Sequence, residues 1–169
     1  LGVRAPGVFR KSYKDPEATA AVFDEEGFFN TGDSARIDAQ GRVFLMGRKK
    51  NTIVLDNGKN ICPEEVENII ETYLDYAEDI VVYPATFTSG NATREILCAG
   101  LYISDEARRA DRYAIEKDLR KVNGLLPDYK RIEYVELPSA AYEKTSTRTL
   151  RRTTRAPAGS GDGRYTVRA

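Results

Sequence analysis

The sequence predicts an α+β fold in which a β-hairpin is followed by a three-stranded sheet packed with helices, with further β-strands before the hairpin. Three observations predict this fold. The pair Asn57-Gly58 separates two short strand-like runs, apolar residues recur at helical spacing after Pro63, and two largely apolar runs follow. With 169 residues, of which 41% are apolar, the chain is large enough for one compact domain and an appendage.

The first part of the chain, residues 1–46, has strand-like sequence. Arg36-Ile37-Asp38 and Arg42-Val43-Phe44-Leu45-Met46 flank Ala39-Gln40-Gly41. Two strand-like runs around a short segment that ends in glycine predict a β-hairpin. We expect residues 1–46 to form β structure.

A second hairpin and a helix are predicted next. Residues 51–56 and 59–61 predict two short strands around Asn57-Gly58, which is a strong hairpin signal. Pro63 suits the first turn of a helix, and the glutamates that follow it favour the positive N-terminal end. The face that this helix is expected to bury consists of Val66, Ile69, Ile70 and Leu74.

Two strands, a second helix and a last strand complete the predicted domain. Residues 79–83 and 96–103 are typical of buried strands, and the polar loop 84–93 between them is expected to be mobile. Ser104 is expected to cap a helix that runs to Val122, with Ile115, Leu119 and Val122 on one face, before the stop signal Asn123-Gly124. Residues 131–137 follow as a strand, and the whole order indicates a small α+β sandwich.

The end of the chain has a different composition. Residues 144–155 contain five basic residues and no acidic one. Residues 156–169 are rich in glycine, alanine and serine, which cannot bury enough apolar surface to offset the entropy of ordering. We therefore expect residues 153–169 to be disordered.

Composition excludes several kinds of chemistry for this chain. Its 26 basic residues balance its 26 acidic ones, so net charge gives no general basis for binding nucleic acid or an anionic membrane. The chain has no histidine, which excludes a Ser-His-Asp triad and any histidine metal site within it. Cys62 and Cys98 lack Cys-x-x-Cys spacing, which favours a reduced, cytoplasmic setting. A single disulfide between them is the alternative.

Three motifs in a fixed order point to a family. They are Phe29-Asn30-Thr31-Gly32-Asp33, Gly47-Arg48-Lys49-Lys50, and the run from Asn57 to Glu67, and Tyr13-Lys14-Asp15-Pro16-Glu17-Ala18-Thr19 precedes them. In this order and spacing they resemble the C-terminal part of adenylate-forming (AMP-binding) enzymes. That superfamily contains acyl-CoA synthetases, peptide-synthetase adenylation domains and luciferases.

The resemblance covers residues 1–152 and implies a division of the chain. Residues 1–49 correspond to the C-terminal edge of the large N-terminal AMP-binding domain, whose leftover β-strands they would supply. The resemblance therefore implies that residues 1–46 have little packing of their own. Residues 50–152 correspond to the small, mobile C-terminal domain. The family's glycine- and serine/threonine-rich phosphate loop and its acyl pocket have no counterpart in this sequence. We therefore expect the chain to be a fragment that is inactive by itself.

The resemblance assigns nucleotide binding to Asp33 and Arg48 and a hinge to Lys50. Asp33 matches the aspartate that accepts hydrogen bonds from the ribose hydroxyls, and a carboxylate has two oxygens for such a diol. Arg48 matches the arginine on the ribose and phosphate side of the nucleotide, where a guanidinium suits pairs of oxygens. Lys50 matches the residue about which the small domain rotates between half-reactions. By themselves these residues also fit ordinary exposed turns.

A loop that the family uses for coenzyme A corresponds to Gly58, Lys59 and Asn60. Gly58 would allow close approach of the pantetheine arm, and Lys59 and Asn60 would contact coenzyme A. Glycine in an Asn-Gly turn also has a purely conformational explanation. Cys62 is expected to be a packing residue, because no base is near it in the sequence.

The main departure from the family lies in the tail. Family members often carry a lysine here that bridges the substrate carboxylate and the α-phosphate during adenylation. In an alignment without gaps that position is Thr149, and Arg148 beside it could supply a cation only with a shift in register. Losing one such contact typically costs about 3 kcal/mol, or roughly a hundredfold in rate.

The resemblance implies a ligase that uses ATP to activate a carboxylic acid as an acyl-adenylate and then transfers the acyl group to coenzyme A. The segments Gly47–Ile53 and Asn57–Ile61 look most similar to long- or medium-chain fatty acid–CoA ligases, so a fatty acid is the expected acid. ATP, coenzyme A and Mg²⁺ are the expected cofactors, held mainly by the larger domain. Cytoplasmic location is expected, with peripheral membrane association left open. The alternative is a degenerate, non-catalytic module that binds a nucleotide or a partner protein. A nucleic-acid module is disfavoured because the basic tail lacks interleaved aromatic residues.

Overall fold

The structure is a computed structural model that describes residues 1–56, 58–89, 92–138, 140–143 and 164–166. The chain divides into two compact units, Leu1–Thr52 and Ile53–Ala169. The division falls between residues 52 and 53, three residues beyond the boundary expected after residue 49. Each unit is described by itself.

The first unit contains two small antiparallel sheets and one short helix. Its elements are β1 (Gly2–Val3), α1 (Pro16–Val22), β2 (Phe29–Asn30), β3 (Asp33–Ile37), β4 (Val43–Arg48) and a 3₁₀ helix (Lys49–Asn51). Strand β1 pairs with β2, and β3 pairs with β4 across the turn at Gly41, whose φ is +79°. The β3–β4 pair confirms the predicted first hairpin.

Helix α1 was not predicted. Its N-cap is Asp15, whose Oδ1 accepts a hydrogen bond of 2.8 Å from the backbone N–H of Ala18, and Pro16 occupies the first helical position. The Asp15-Pro16 pair, which lies within the motif Tyr13–Thr19, is therefore a helix-start signal.

None of residues 1–52 is buried. Ile37 and Leu45, on the β3–β4 hairpin, are 65% and 67% exposed. The expectation that this part of the chain has little packing of its own agrees with these exposures.

The second unit contains the larger sheet and the remaining helices. Its elements are β5 (Ile53–Val54), β6 (Asn60–Ile61), α2 (Pro63–Tyr73), β7 (Asp79–Ser89), β8 (Ala92–Tyr102), α3 (Glu106–Ala110), α4 (Arg112–Leu125), a 3₁₀ helix (Asp128–Lys130), β9 (Ile132–Glu136) and β10 (Arg164–Thr166). The strand order of the sheet is β10-β9-β8-β7. Strands β7 and β8 are antiparallel, β8 and β9 are parallel, and β5 pairs with β6 as a separate hairpin. The α+β fold class is thereby confirmed.

One face of the sheet and helices α2 and α4 enclose the main core. Val66 and Ile70 of α2 and Ile115, Leu119 and Val122 of α4 are fully buried against sheet residues. The core residues contributed by the sheet strands include Val82, Leu97, Ala99, Leu101, Ile132 and Val135. The helical spacing of apolar residues therefore predicted the buried faces of both helices correctly.

The prediction of a loop over residues 84–93 is wrong for the residues that the structure describes there, 84–89 and 92–93. Residues 79–89 form one continuous strand that pairs with β8 from Asp79–Tyr102 to Ser89–Ala92. Thr86, Phe87 and Thr88 favour strands, and Pro84 is tolerated because β7 is an edge strand of the sheet.

The second predicted helix is interrupted and ends later than expected. Asp111 starts a new helix, α4, since its Oδ1 accepts a hydrogen bond of 3.0 Å from the backbone N–H of Ala114. Asn123 does not end the helix, because its buried side chain bonds to both backbone groups of Ile132, at 2.8 and 2.9 Å. A residue that suggested a stop instead joins α4 to β9.

Three residues of the tail differ from the expected disorder. Residues 164–166 form strand β10, which pairs antiparallel with β9. Tyrosine and threonine favour strands, and the pairing covers an edge of β9 that would otherwise be open. The remainder of 153–169 lies outside the described residues.

Candidate functional site

The first part of the candidate site is the turn between β2 and β3. Asn30 Oδ1 accepts a hydrogen bond of 3.0 Å from the Gly32 N–H, and Thr31 Oγ1 accepts one of 3.1 Å from the Asp33 N–H. Gly32 has a φ of +73°, which disfavours other residues. Side-chain bonds to the backbone two residues ahead are typical of Asx and ST turns, and here they shape the backbone that carries Asp33.

Arg48 lies directly opposite Asp33 in the β3–β4 register. Its Nε is 3.0 Å from Asp33 Oδ1, and its Nη1 donates a hydrogen bond of 2.9 Å to the carbonyl oxygen of Thr31. The side chains of Asp33 and Arg48 are 26% and 56% exposed, so solvent or a ligand can reach both. The structure thus brings together the two residues that were predicted to bind a nucleotide.

An open cleft of about 380 Å³ lies beside this pair and is lined by Gly32, Arg48, Lys49 and Lys50. Three basic side chains around one cleft suit an anionic group such as a phosphate. A larger cavity of about 610 Å³ is lined by residues from the segment 11–20. All of its lining comes from that one short stretch, so it does not gather residues from different elements.

Lys50, the predicted hinge residue, lies in the 3₁₀ helix Lys49–Asn51. The division between the two units follows it by two residues, after Thr52. The position is compatible with a hinge, and the hinge role stays a prediction.

Gly58, Lys59 and Asn60 lie in the second unit, at the β5–β6 turn. Gly58 has a φ of +74°, and a Cβ added there would meet nothing within 4 Å. The Lys59 Nζ is 5.7 Å from the centre of the Tyr129 ring, and Asn60 is exposed. The backbone N–H of Asp56 donates a hydrogen bond of 2.9 Å to Glu95 Oε2, and this bond connects the turn to β8. The turn alone explains the glycine, and contact with coenzyme A stays a prediction.

Other predicted site residues are not placed. Thr149 and Arg148 lie outside the described residues, as does Asn57 of the second hairpin. Sequence reasoning also missed Asn30 and Thr31 as parts of the site. Their signal was present, because both belong to the motif that contains Asp33 and both are residue types that form such turns.

The described residues contain neither a membrane-spanning helix nor a cluster of metal-binding side chains. No helix among them is long and apolar enough to cross a membrane. No group of three or more histidine, cysteine, aspartate or glutamate residues among them is placed to hold a metal ion.

Comparison with known proteins gives relatives of one kind, although no family model matches the chain. Acyl-CoA ligase 891 of Penicillium brevicompactum is 37% identical over 83 residues, which is 49% of this chain and 12% of the relative. Enterobactin synthase component E of Escherichia coli K12 is 32% identical over 155 residues, which is 89% of this chain and 27% of the relative. The adenylation domain of a carboxylate reductase from Mycobacterium chelonae superposes with a TM-score of 0.72 at 26% identity, covering 89% of this chain and 25% of that one.

These relatives and structural neighbours are AMP-binding, adenylate-forming enzymes, and this chain is a relative of their C-terminal part, as the motifs predicted. The chain spans only 12% and 27% of the length of the two curated relatives described here.

Proposed function

We propose that the complete protein activates a carboxylic acid with ATP, forming an acyl-adenylate and releasing pyrophosphate. The observation that carries this proposal is the Asp33–Arg48 pair beside a cleft lined by three basic residues, in a chain related to adenylate-forming enzymes. The pair offers a carboxylate for a ribose diol, and the cleft offers cations for phosphate oxygens. Structures of MatB from Rhodopseudomonas palustris with ATP and of MenE from Bacillus subtilis with AMP are among the neighbours, which supports a nucleotide ligand.

Each residue has a distinct proposed role. Asp33 accepts hydrogen bonds from the ribose hydroxyls, and Arg48 lies on the ribose and phosphate side. Lys50 is the hinge, and its place two residues before the division between the units supports this. The turn at Gly58, Lys59 and Asn60 belongs to the second unit and is proposed to contact coenzyme A after the rotation.

The finer proposal is that the acid is a fatty acid and the acceptor is coenzyme A. An acyl-CoA ligase among the relatives and the sequence around Gly47 and Asn57 support it. Enterobactin synthase component E and a carboxylate reductase domain are also similar to this chain, so the acid and the acceptor need a direct test. The proposed setting is cytoplasmic, and the proposed partners are the acid, ATP, coenzyme A and the larger domain that the relatives carry.

Exchange of labelled pyrophosphate into ATP tests the first half-reaction. We expect exchange that depends on a fatty acid from the complete protein, and none above background from the 169-residue chain alone. Aryl acids and amino acids in the same panel test the choice of acid. Adding coenzyme A should then yield an acyl thioester. If the complete protein shows no pyrophosphate exchange with any acid of the panel, the proposal is contradicted.

The alternative is a non-catalytic module that binds a nucleotide or a partner protein, and Thr149 favours it. A lysine at position 149 would add a charge that acts only in the adenylating orientation. If the protein is a working synthetase, Thr149→Lys should raise adenylation far more than thioester formation from preformed acyl-adenylate. Nucleotide binding without exchange, in both the wild type and Thr149→Lys, would support the non-catalytic module.

A further inference from the structure

The turn that carries Asp33 is fixed from two sides. Within the turn, Thr31 Oγ1 accepts the Asp33 N–H at 3.1 Å and Asn30 Oδ1 accepts the Gly32 N–H at 3.0 Å. From the neighbouring strand, Arg48 bonds to the carbonyl oxygen of Thr31 at 2.9 Å and to Asp33 Oδ1 at 3.0 Å. The backbone N–H of Lys49 adds a bond of 2.8 Å to the Gly32 carbonyl.

These contacts use Arg48 as a clamp. Its Nε and Nη1 point to two different parts of one turn, so the planar guanidinium links the carboxylate to the backbone that carries it. A carboxylate is rigid and planar, and holding Oδ1 therefore fixes the direction of Oδ2. At 26% exposure the Asp33 side chain is still open to a ligand.

We infer that Thr31 and Arg48 are positioning residues for Asp33, and that they act on a bound nucleotide chiefly through the direction of this carboxylate; the inference rests on the proposed function. The two groups preorganise an acceptor for the vicinal diol of a ribose. A carboxylate that is already directed loses less freedom when the diol binds, which raises affinity. The benefit should be confined to ligands that carry the hydroxyl groups.

Selectivity between nucleotides with and without the ribose diol distinguishes a positioning role of Arg48 from a direct role on phosphate. ATP and 2′,3′-dideoxy-ATP share their phosphates and base and differ in the diol. If Arg48 and Thr31 act through Asp33, changing either of them reduces the preference for ATP over the dideoxy compound. If Arg48 binds only phosphate, both ligands weaken together and the preference is unchanged.

Titration calorimetry of the complete protein with ATP and 2′,3′-dideoxy-ATP provides the test. The wild type should prefer ATP by at least about tenfold, since each hydrogen bond to a charged group contributes roughly a factor of ten. Asp33→Ala should abolish the preference. Thr31→Val should reduce it to less than about threefold, with little change in the affinity for the dideoxy compound. Arg48→Lys should reduce the preference to the same extent, even if the affinity for both ligands also falls because Arg48 lines the basic cleft. Thr31→Ser, which retains the hydroxyl, should keep the wild-type ratio.

Two further measurements separate the possible failures. Arg42→Lys is the matched control, because Arg42 pairs with Asp38 in the same hairpin at 2.6 Å. This variant should leave the ratio of the affinities for ATP and 2′,3′-dideoxy-ATP unchanged. Amide hydrogen exchange at Asp33 should speed up in Thr31→Val and not in Thr31→Ser. A wild type that binds ATP without preferring it would overturn the role of Asp33 and, with it, this inference. A preference that survives both Thr31→Val and Arg48→Lys would overturn the inference and leave the proposed function standing.

Discussion

At the residue scale, Asp33 combines an ion pair with partial exposure. Asp33→Ala in the complete protein should weaken ATP binding by on the order of 1.5–3 kcal/mol, the contribution of a hydrogen bond to a charged group. Folding stability should change little, because a partly exposed ion pair such as Asp33–Arg48 typically contributes about 0–1 kcal/mol. Calorimetry and thermal unfolding measure the two effects.

The control for this prediction is Asp38→Asn. Asp38 belongs to the same hairpin and pairs with Arg42, yet it lies at the other end of strand β3 from the cleft. This variant should bind ATP like the wild type. Equal losses of affinity in both variants would mean that Asp33 acts only through the shape of the hairpin.

Gly58 and Gly100 require glycine for different structural reasons. Gly58 needs its positive φ, whereas a Cβ at Gly100 would collide with the hydroxyl of Tyr142. Gly100→Ala should therefore destabilise the second unit by about 1–3 kcal/mol, as overpacking does. Tyr142→Ala combined with Gly100→Ala should lose less than the sum of the two single variants, because the clash has gone. Urea unfolding measures the three free energies, and strict additivity would contradict the clash.

Sequence alone predicted Asp33 and Arg48 as site residues but not the contacts that they make. Their residue types and the motif spacing carry that prediction, and the structure places the two side chains 3.0 Å apart. The Arg48–Thr31 bond depends on the β3–β4 register, which includes an irregularity between Ser34 and Ala35. A register of this kind is set by the paired strands and cannot be read from one strand.

At the element scale, helix α4 offers a matched pair of leucines. Leu119 is fully buried against the sheet, and Leu125 at the end of the same helix is 59% exposed. Leu119→Ala should cost the second unit about 2–5 kcal/mol of unfolding free energy, whereas Leu125→Ala should stay within about 0.5 kcal/mol. Chemical denaturation distinguishes them. Similar costs for the two variants would mean that α4 does not pack as described.

The β3–β4 hairpin should be sensitive to acid. Hydrogen bonding from the backbone N–H of Arg42, and further bonds from the Arg42 side chain and the Gln40 N–H, lower the pKa of Asp38 against a smaller opposing effect of desolvation. A carboxylate with a lowered pKa stabilises the fold above its unfolded pKa and loses that contribution as pH falls through the folded pKa. The hairpin should therefore loosen below about pH 4. The protection of the Gln40 and Arg42 amides against hydrogen exchange, relative to the intrinsic exchange rate at each pH, should fall there in the wild type, and in Asp38→Asn it should be low without that pH dependence.

Elements with a strong period were predicted well, and elements decided by tertiary context were not. The buried faces of α2 and α4 follow from helical spacing. The long β7–β8 hairpin does not, because residues 84–93 are polar and the described ones among them, 84–89 and 92–93, acquire strand structure through pairing with a neighbour. Asn123 gives the same lesson, since its helix-ending tendency is outweighed by two buried hydrogen bonds to Ile132.

At the scale of the whole molecule, the proposed chemistry is divided between the two units. Asp33, Arg48 and the basic cleft belong to Leu1–Thr52, and the turn at Gly58 belongs to Ile53–Ala169. A division close to Lys50 would let one set of contacts be exchanged for the other by rotation, which is why the hinge proposal and the division of roles support each other.

The two units should also differ in stability. All buried apolar side chains of the described residues lie from Ile53 onward, and none of residues 1–52 is buried. A region with few buried apolar contacts opens at a low free-energy cost, so a protease should reach it first. Limited digestion of the 169-residue chain with trypsin should cut after Arg10, Lys11 or Lys14 before it cuts between residues 53 and 137. Digestion in denaturing urea is the control, because both regions should then be cleaved at similar rates. A product that keeps residues 1–52 intact after the 53–137 region has been cut would contradict the difference in stability, and would show that exposed side chains here do not mean an easily opened backbone.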